Sequence, residues 1–114
     1  MRYSVSTNEF DNAIWDPQIG CWWMKQKIVA YRGLCQVRAD RDEFFGGKDS
    51  RDYRSKVLLN PTWRQLFALA KKQQETTRDM QHDFFEGYHD TGKDDFNAHP
   101  NHLPVRVIRL ALGS

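Results

Sequence analysis

The sequence lacks most of the features that assign a chain to a broad functional class. It has no apolar run approaching the roughly 18 residues of a membrane-spanning helix, and its mean hydropathy is −0.78. Its first residues hold no continuous apolar segment of the kind found in signal peptides. We therefore expect a cytoplasmic protein that does not contact membranes.

A strong excess of charge is also missing. The formal net charge is only +2, which creates no large overall field toward nucleic acid. The basic residues do not cluster on one face that the sequence predicts, and no aromatic-basic RNA-binding motif is present. We therefore do not expect nucleic acid as a partner.

Cysteine is scarce. Cys21 and Cys35 form no C-x-x-C pair, which excludes the common cysteine-based zinc sites. On one straight helix their Cα atoms would lie about 21 Å apart, whereas a disulfide requires about 7 Å or less. A bridge between them would therefore rule out a continuous helix. We expect both to be small buried apolar side chains with free thiols.

Phosphate-binding and catalytic motifs are absent as well. The chain contains no Walker A, GxGxxG, HExxH or GxSxG motif. The pair Gly46-Gly47 lies instead in the mixed-charge segment 38–56, which predicts a solvated, mobile loop. The segment 90–104 is rich in Asp, Asn, Gly and Pro and predicts a second loop.

What is present favours one folded domain. A chain of 114 residues matches a single domain spanning 1–114, and 13% aromatic residues argue against disorder. Helical and strand-like patterns both occur. They predict an α+β fold, with a small antiparallel sheet and one or two helices packed on one face.

The best-defined helix begins after Leu59 and is predicted over Asn60–Thr76. Either Asn60 caps it with Pro61 in the first turn, or Thr62 and Gln65 form a capping box. An apolar stripe follows at helical spacing and predicts the buried side: Trp63, Leu66, Phe67 and Ala70. The second half is polar, so we expect it to lie in water.

The segment 21–38 fits two structures. Apolar residues at helical spacing and Asp16-Pro17 as a start signal favour a helix. The alternative is a hairpin of Lys27–Tyr31 and Leu34–Ala39 joined by Arg32-Gly33, because β-branched and aromatic residues prefer strands. We favour the helix.

The sequence also predicts several β-strands. Short ones are expected at residues 2–6 and 57–59, and residues 81–88 favour a strand over a helix. The clearest strand is Val105–Leu112, paired antiparallel with residues 81–88. Its apolar residues change face near Val107, which indicates burial on both sides or a bulge.

Exposed tryptophan is a common anchor of interfaces, and it motivates our first functional hypothesis. Adjacent residues cannot share one face, so Trp22 and Trp23 do not both point into a core. With Trp15 and Tyr31 they predict a ligand- or partner-binding surface. The expected function is a non-enzymatic binding module for a protein or small ligand, able to form a homo-oligomer.

A metal site is the alternative. On a helix His82, Glu86 and His89 would share one face and could bind a divalent metal, as in a small metal-dependent enzyme. On a strand His82 and Glu86 would lie about 13 Å apart, with His89 on the other face. The preferred strand therefore argues against the site, and no cofactor is our first expectation.

Overall fold

Two long strands form the centre of the computed structural model, which describes residues 2–12, 15–16, 20–21 and 28–114. They are β7 (Phe84–Asp95) and β8 (Val105–Gly113), and they pair antiparallel. The predicted strand at 105–112 and its antiparallel pairing are thereby confirmed, but the partner predicted at 81–88 begins only at Phe84. The predicted loop 90–104 is wrong at its start, because Asp94 and Asp95 continue the ladder opposite Arg106 and Val105.

Shorter strands extend this hairpin on both sides. On one side β1 (Tyr3–Ser4) pairs with β7. On the other side β4 (Leu34–Ala39) lies parallel to β8. Both β5 (Tyr53–Arg54) and β6 (Leu58–Leu59) then pair antiparallel with β4.

The described residues thus form a mixed six-stranded sheet in a single α+β domain, with the order β1-β7-β8-β4-β5 and β6 also on β4. The expectation of a purely antiparallel sheet is wrong at the β4–β8 pair. A parallel pair needs a long crossover connection. The chain between these two strands supplies it, because it contains a full helix and the strand β7.

That helix is α2 (Trp63–Thr77). Thr62 is its N-cap, and Thr62 and Gln65 form a complete capping box. The predicted cap at Asn60 is wrong, because Asn60 has a positive φ of 48° and its side chain accepts a hydrogen bond from Gly33 N at 2.7 Å. The predicted buried residues Leu66, Phe67 and Ala70 are confirmed, and Trp63 is partly buried.

The second half of α2 is less exposed than its composition predicts. Gln73, Gln74 and Thr77 are buried. The chain packs around this end of the helix: Asp42 N donates to Thr77 O, and the Gln74 amide donates to the carbonyl of His82. The bond to His82 satisfies the Gln74 amide, and Thr77 Oγ1 donates to the carbonyl of Gln73 at 2.8 Å, which allows burial of these two side chains. Gln73 Oε1 is buried without a hydrogen-bond partner among the described residues.

The predicted helix over 21–38 is wrong in its described part, because residues 34–39 form β4. This is the second strand of the alternative hairpin, but β4 pairs with β5, β6 and β8. Tertiary packing outweighs local helix preference here, since Cys35 and Val37 are fully buried. Cys35 has a free thiol, and burial raises its pKa to about 11.

Aromatic rings hold α2 against the sheet. Phe10, in the short helix α1 (Glu9–Asn12), stacks on Phe67 with ring centroids 4.9 Å apart. Both rings meet Phe85 of β7 edge-on. Side chains alternate along a strand. The residues next to each buried residue on the α2 side of the sheet therefore face the other side.

The change of face near Val107 reflects burial on both sides of β8. Val107 and Ile108 are both buried, and β8 keeps an even register with β4. The irregularities lie in β7, at Gly87 and Gly92, where φ is 121° and 73°. Such positive values favour glycine at a bulge.

The predicted loop 38–56 begins in β4 and contains β5, and Ser50 and Ser55 are buried within it. Its mobility stays a prediction. Neither of the helices described here is long and apolar enough to cross a membrane.

Candidate ligand-binding face

The sheet has two unlike faces. Ile108 and Leu110 of β8 and Val37 of β4 belong to the core beneath α2. Arg109 lies between Ile108 and Leu110, and Arg38 follows Val37, so both arginines point to the opposite side of the sheet. We call this side the open face, because no helix of the described residues packs on it, although Val105, Val107 and Gln36 are buried within it.

The strand registers bring basic residues of the open face into one line. Arg54 of β5 is the direct partner of Arg38 of β4, and Arg109 of β8 is the direct partner of His89 of β7. Val37 pairs with Ile108, so one residue further along Arg38 lies beside Arg109. We call Arg54, Arg38, Arg109 and His89 the arginine row. It crosses four adjacent strands.

Few carboxylates balance this row. Asp95 accepts a hydrogen bond from Arg38 and also attracts Arg54, and Asp40 forms a long ion pair of 3.9 Å with Arg109. The hydrogen bond from Arg38, and next the one from Asn97 N, hold the pKa of Asp95 below its usual value. Like charges directly opposite each other destabilise a sheet. The row therefore keeps a surplus of positive charge at some cost in stability.

Arg38 is held in a fixed position. Its Nε donates to Gln36 Oε1 at 2.9 Å, and Gln36 Nε2 donates to the carbonyl of Ser55 at 2.6 Å. Gln36 is buried, and 21% of the Arg38 side chain is exposed. The hydrogen bonds to Gln36 and Asp95 use two of the five guanidinium donors and fix the orientation of the group. The remaining donors can bind an anion with little further loss of side-chain entropy.

A pocket of about 530 Å³ lies beside the row. It exists because β7 bulges: residues 91–93 stand opposite Val107 alone, and Thr91 Oγ1 donates to the carbonyl of Val107 at 2.6 Å. The bulge brings Lys93 to the wall of the pocket, and Phe96 is 55% exposed there. The pocket walls include three cationic side chains, two carboxylates and an aromatic ring: Arg38, Arg109, Lys93, Asp94, Asp95 and Phe96.

A larger groove, of about 850 Å³, lies between the loop after β4 and residues 79–82. Two of its carboxylates already accept hydrogen bonds from the backbone. Asp42 accepts hydrogen bonds from the backbone N of Phe44 and Phe45, and Asp52 accepts one from Arg41 N. These contacts shape the loop, which presents Phe44 with 90% of its surface exposed. The groove has mixed charge and no comparable alignment of like groups.

The aromatic residues predicted to bind a partner are only partly covered by the structure. Trp22 and Trp23 lie outside the described residues, and Trp15 is described only as backbone of the β2 (Trp15–Asp16) and β3 (Gly20–Cys21) hairpin. Tyr31 is partly buried and meets Tyr88 edge-on at 6.4 Å. Burial raises the pKa of Tyr31. Their binding role stays a prediction.

The predicted metal ligands have separate partners. His82 Nδ1 lies 2.8 Å from Asp79 Oδ2, Glu86 accepts a hydrogen bond from Arg2 at 3.1 Å, and His89 is the strand neighbour of Arg109 in the backbone ladder. Within the described part of the chain, no three or more His, Cys, Asp or Glu residues form a group that could hold a metal ion. A metal role for these residues stays a prediction.

Comparisons with models of protein families, with curated proteins and with solved structures give no match to this chain. The proposed function therefore rests on the chain's own residues.

Proposed function

We propose that the protein is a non-enzymatic binding module that binds a phosphate-bearing ligand on the open face. The observation that carries this proposal is the arginine row, in which Arg54, Arg38 and Arg109 are neighbours on three adjacent strands. A guanidinium group is planar and matches two phosphate oxygens at once. Three such groups side by side form a surface that favours phosphate over a single carboxylate.

The electrostatic balance supports an anionic ligand. Asp95 is the one carboxylate in hydrogen-bond contact with the row among the described residues, and the ion pair of Asp40 with Arg109 is long and exposed. An anion bound over the row would relieve the repulsion between neighbouring guanidinium groups. Nearly half of the Arg109 side chain is exposed, so a ligand can reach it directly.

Isothermal titration with inorganic pyrophosphate at low salt tests the proposal. We expect binding by the wild-type chain and a loss of about tenfold in affinity for Arg109→Gln and for Arg38→Gln, because each removes charge-assisted hydrogen bonds. Lys72→Gln is the matched control, since Lys72 is an exposed cation on α2. Equal binding by the Arg109 and control variants would reject the open face as the site.

The remaining expectations belong to the same proposal: a cytoplasmic protein that also contacts a protein partner or a second copy of itself. Static light scattering tests self-association, and a monomer at all concentrations would remove it. The metal-dependent alternative has its own test. Elemental analysis of wild-type protein and a His82→Ala/His89→Ala double variant removes it if the metal content of both is low and equal.

A further inference from the structure

We infer that the phosphate-bearing ligand of the open face is single-stranded nucleic acid lying across strands β7, β8, β4 and β5. This inference rests on the proposed anion-binding function and adds the class of ligand. It differs from the expectation drawn from net charge and sequence spacing. That expectation relied on basic residues not clustering, whereas the strand registers place Arg54, Arg38 and Arg109 side by side.

The length of the row favours a polymer. Neighbouring strands lie about 4.8 Å apart, so four adjacent positions span about 14 Å. A single phosphate group can contact only one or two guanidinium groups over that distance. A chain that carries one phosphate per nucleotide can contact the whole row at once. Lys93 lies in the pocket beside Arg38 and Arg109 and adds a further cation, while the Asp94 carboxylate of the same pocket is bound by Arg106.

An aromatic ring stands where a base could stack. Phe96 lies at the same pocket as Arg38 and Arg109 and is 55% exposed. Stacking of bases on aromatic side chains beside a cationic groove is the usual way of binding single strands without sequence preference. Phe84 also lies on the open face, but the guanidinium of Arg2 sits 4.0 Å above its ring. Phe96 is therefore the residue we assign to stacking.

A double helix fits the face less well. Its bases are stacked on each other and are not free to lie on Phe96, so it could use only the cations. With a net charge of +2 the whole chain provides little further attraction to a duplex. We therefore expect a clear preference for single strands over duplex of the same length.

Fluorescence anisotropy with a labelled ten-nucleotide oligouridine, and with the same length of mixed-sequence single-stranded and duplex DNA, tests the inference. We expect the single strands to bind more tightly than the duplex. We expect Phe96→Ala to weaken single-strand binding about tenfold and leave its salt dependence unchanged, because stacking involves no counterion release.

The cationic residues should behave differently from Phe96. Arg109→Gln should lower the slope of log affinity against log salt by about 0.7, the value for one lost phosphate contact to a single strand. Lys72→Gln should bind as the wild type does. Circular dichroism confirms that each variant is folded, which we expect because Phe96, Arg109 and Lys72 are all partly or fully exposed.

The outcomes separate this inference from the broader proposal. Pyrophosphate binding without oligonucleotide binding would overturn the nucleic-acid assignment and leave the anion site intact. An oligoglutamate peptide that binds as tightly as oligouridine would overturn it in favour of an acidic protein segment. If neither pyrophosphate nor oligonucleotide binds, both the proposed anion-binding function and the nucleic-acid assignment are rejected.

Discussion

Arg38 lies directly opposite Arg54 in the antiparallel pair of β4 and β5, so two guanidinium groups are neighbours on the open face. Sequence alone assigns no such pair, since 16 positions separate the two residues. A like-charge pair at this position costs about 0.2–1 kcal/mol relative to a neutral one. The open face is therefore not arranged for maximal stability of the sheet.

Replacing Arg54 by Gln should stabilise the protein. The change removes the repulsion from Arg38, and Arg54 donates no hydrogen bond within the described residues that would be lost. Its attraction to Asp95, which Arg38 already binds, is the weaker contribution. We expect the free energy of unfolding to rise by about 0.5 kcal/mol at low salt. Urea unfolding followed by tryptophan fluorescence measures this.

The salt dependence provides the control for Arg54→Gln. The Debye length falls to about 3 Å in 1 M salt, so the gain in stability of Arg54→Gln over wild type should disappear at that salt concentration. A gain that persists at high salt would mean that the effect comes from strand propensity and not from charge. A loss of stability at low salt would contradict repulsion within the row.

Local patterns predicted the elements whose packing is determined nearby. Leu66, Phe67 and Ala70 are buried at helical spacing, and of the two explanations for the change of face near Val107, burial on both sides is the one observed. For the segment 34–39 the sequence favours a helix over the alternative strand, because the burial that decides between them depends on β8, some 70 residues later. A central strand of a mixed sheet carries no short-range signal that separates it from a buried helix.

The candidate site was predictable only in fragments. Arg109 lies between Ile108 and Leu110, so its outward direction follows from the sequence once β8 is accepted as a strand. The outward direction of Arg38 would follow in the same way if residues 34–39 were accepted as a strand. The order of strands that brings the two together depends on long-range pairing, and no local spacing encodes it.

The two aromatic residues on the buried side of α2 should differ in their contribution to stability. Phe67 is 5% exposed and touches Phe10 and Phe85, so Phe67→Ala should cost about 3–5 kcal/mol. Trp63 is only partly buried, against Phe85 and Tyr88, so Trp63→Ala should cost about 2 kcal/mol. Urea unfolding of both variants measures which substitution lowers the free energy of unfolding more. A Trp63→Ala variant with unchanged stability would instead indicate a ligand-contact residue.

Asp83 should make the stability depend on pH in the acid range. Burial raises the pKa of Asp83, but hydrogen bonds from Ser4, Ser6 and Gln74 outweigh it and hold the pKa below 3.8. A depressed pKa in the folded state means that the ionised group stabilises the fold above about pH 3.8. This contribution is lost as the pH falls through the folded-state value.

Asp83→Asn should therefore cost about 1–2 kcal/mol at pH 7, because it weakens the charged hydrogen bonds that fasten the N-terminal strand. The difference from wild type should shrink as the pH falls below 3.8, the ordinary pKa of the group. Urea unfolding over a pH series measures both. Asp49→Asn, at an exposed position, is the control and should show neither effect. A constant difference at every pH would contradict the assignment to charge.

Gly46 is the position where the loop after β4 tolerates no side chain. A Cβ atom there would lie 2.5 Å from the carbonyl oxygen of Asp42 and 2.7 Å from Ser50 Cβ. Backbone cannot yield as the end of a flexible side chain can, so Gly46→Ala should cost about 1–3 kcal/mol. Thermal unfolding measures the cost. Phe44→Ser in the same loop is the control and should change stability by less than about 0.5 kcal/mol, because its ring lies in solvent. Equal effects of the two substitutions would show that the loop does not pack on the end of α2, since the close approach at Gly46 also involves Thr77.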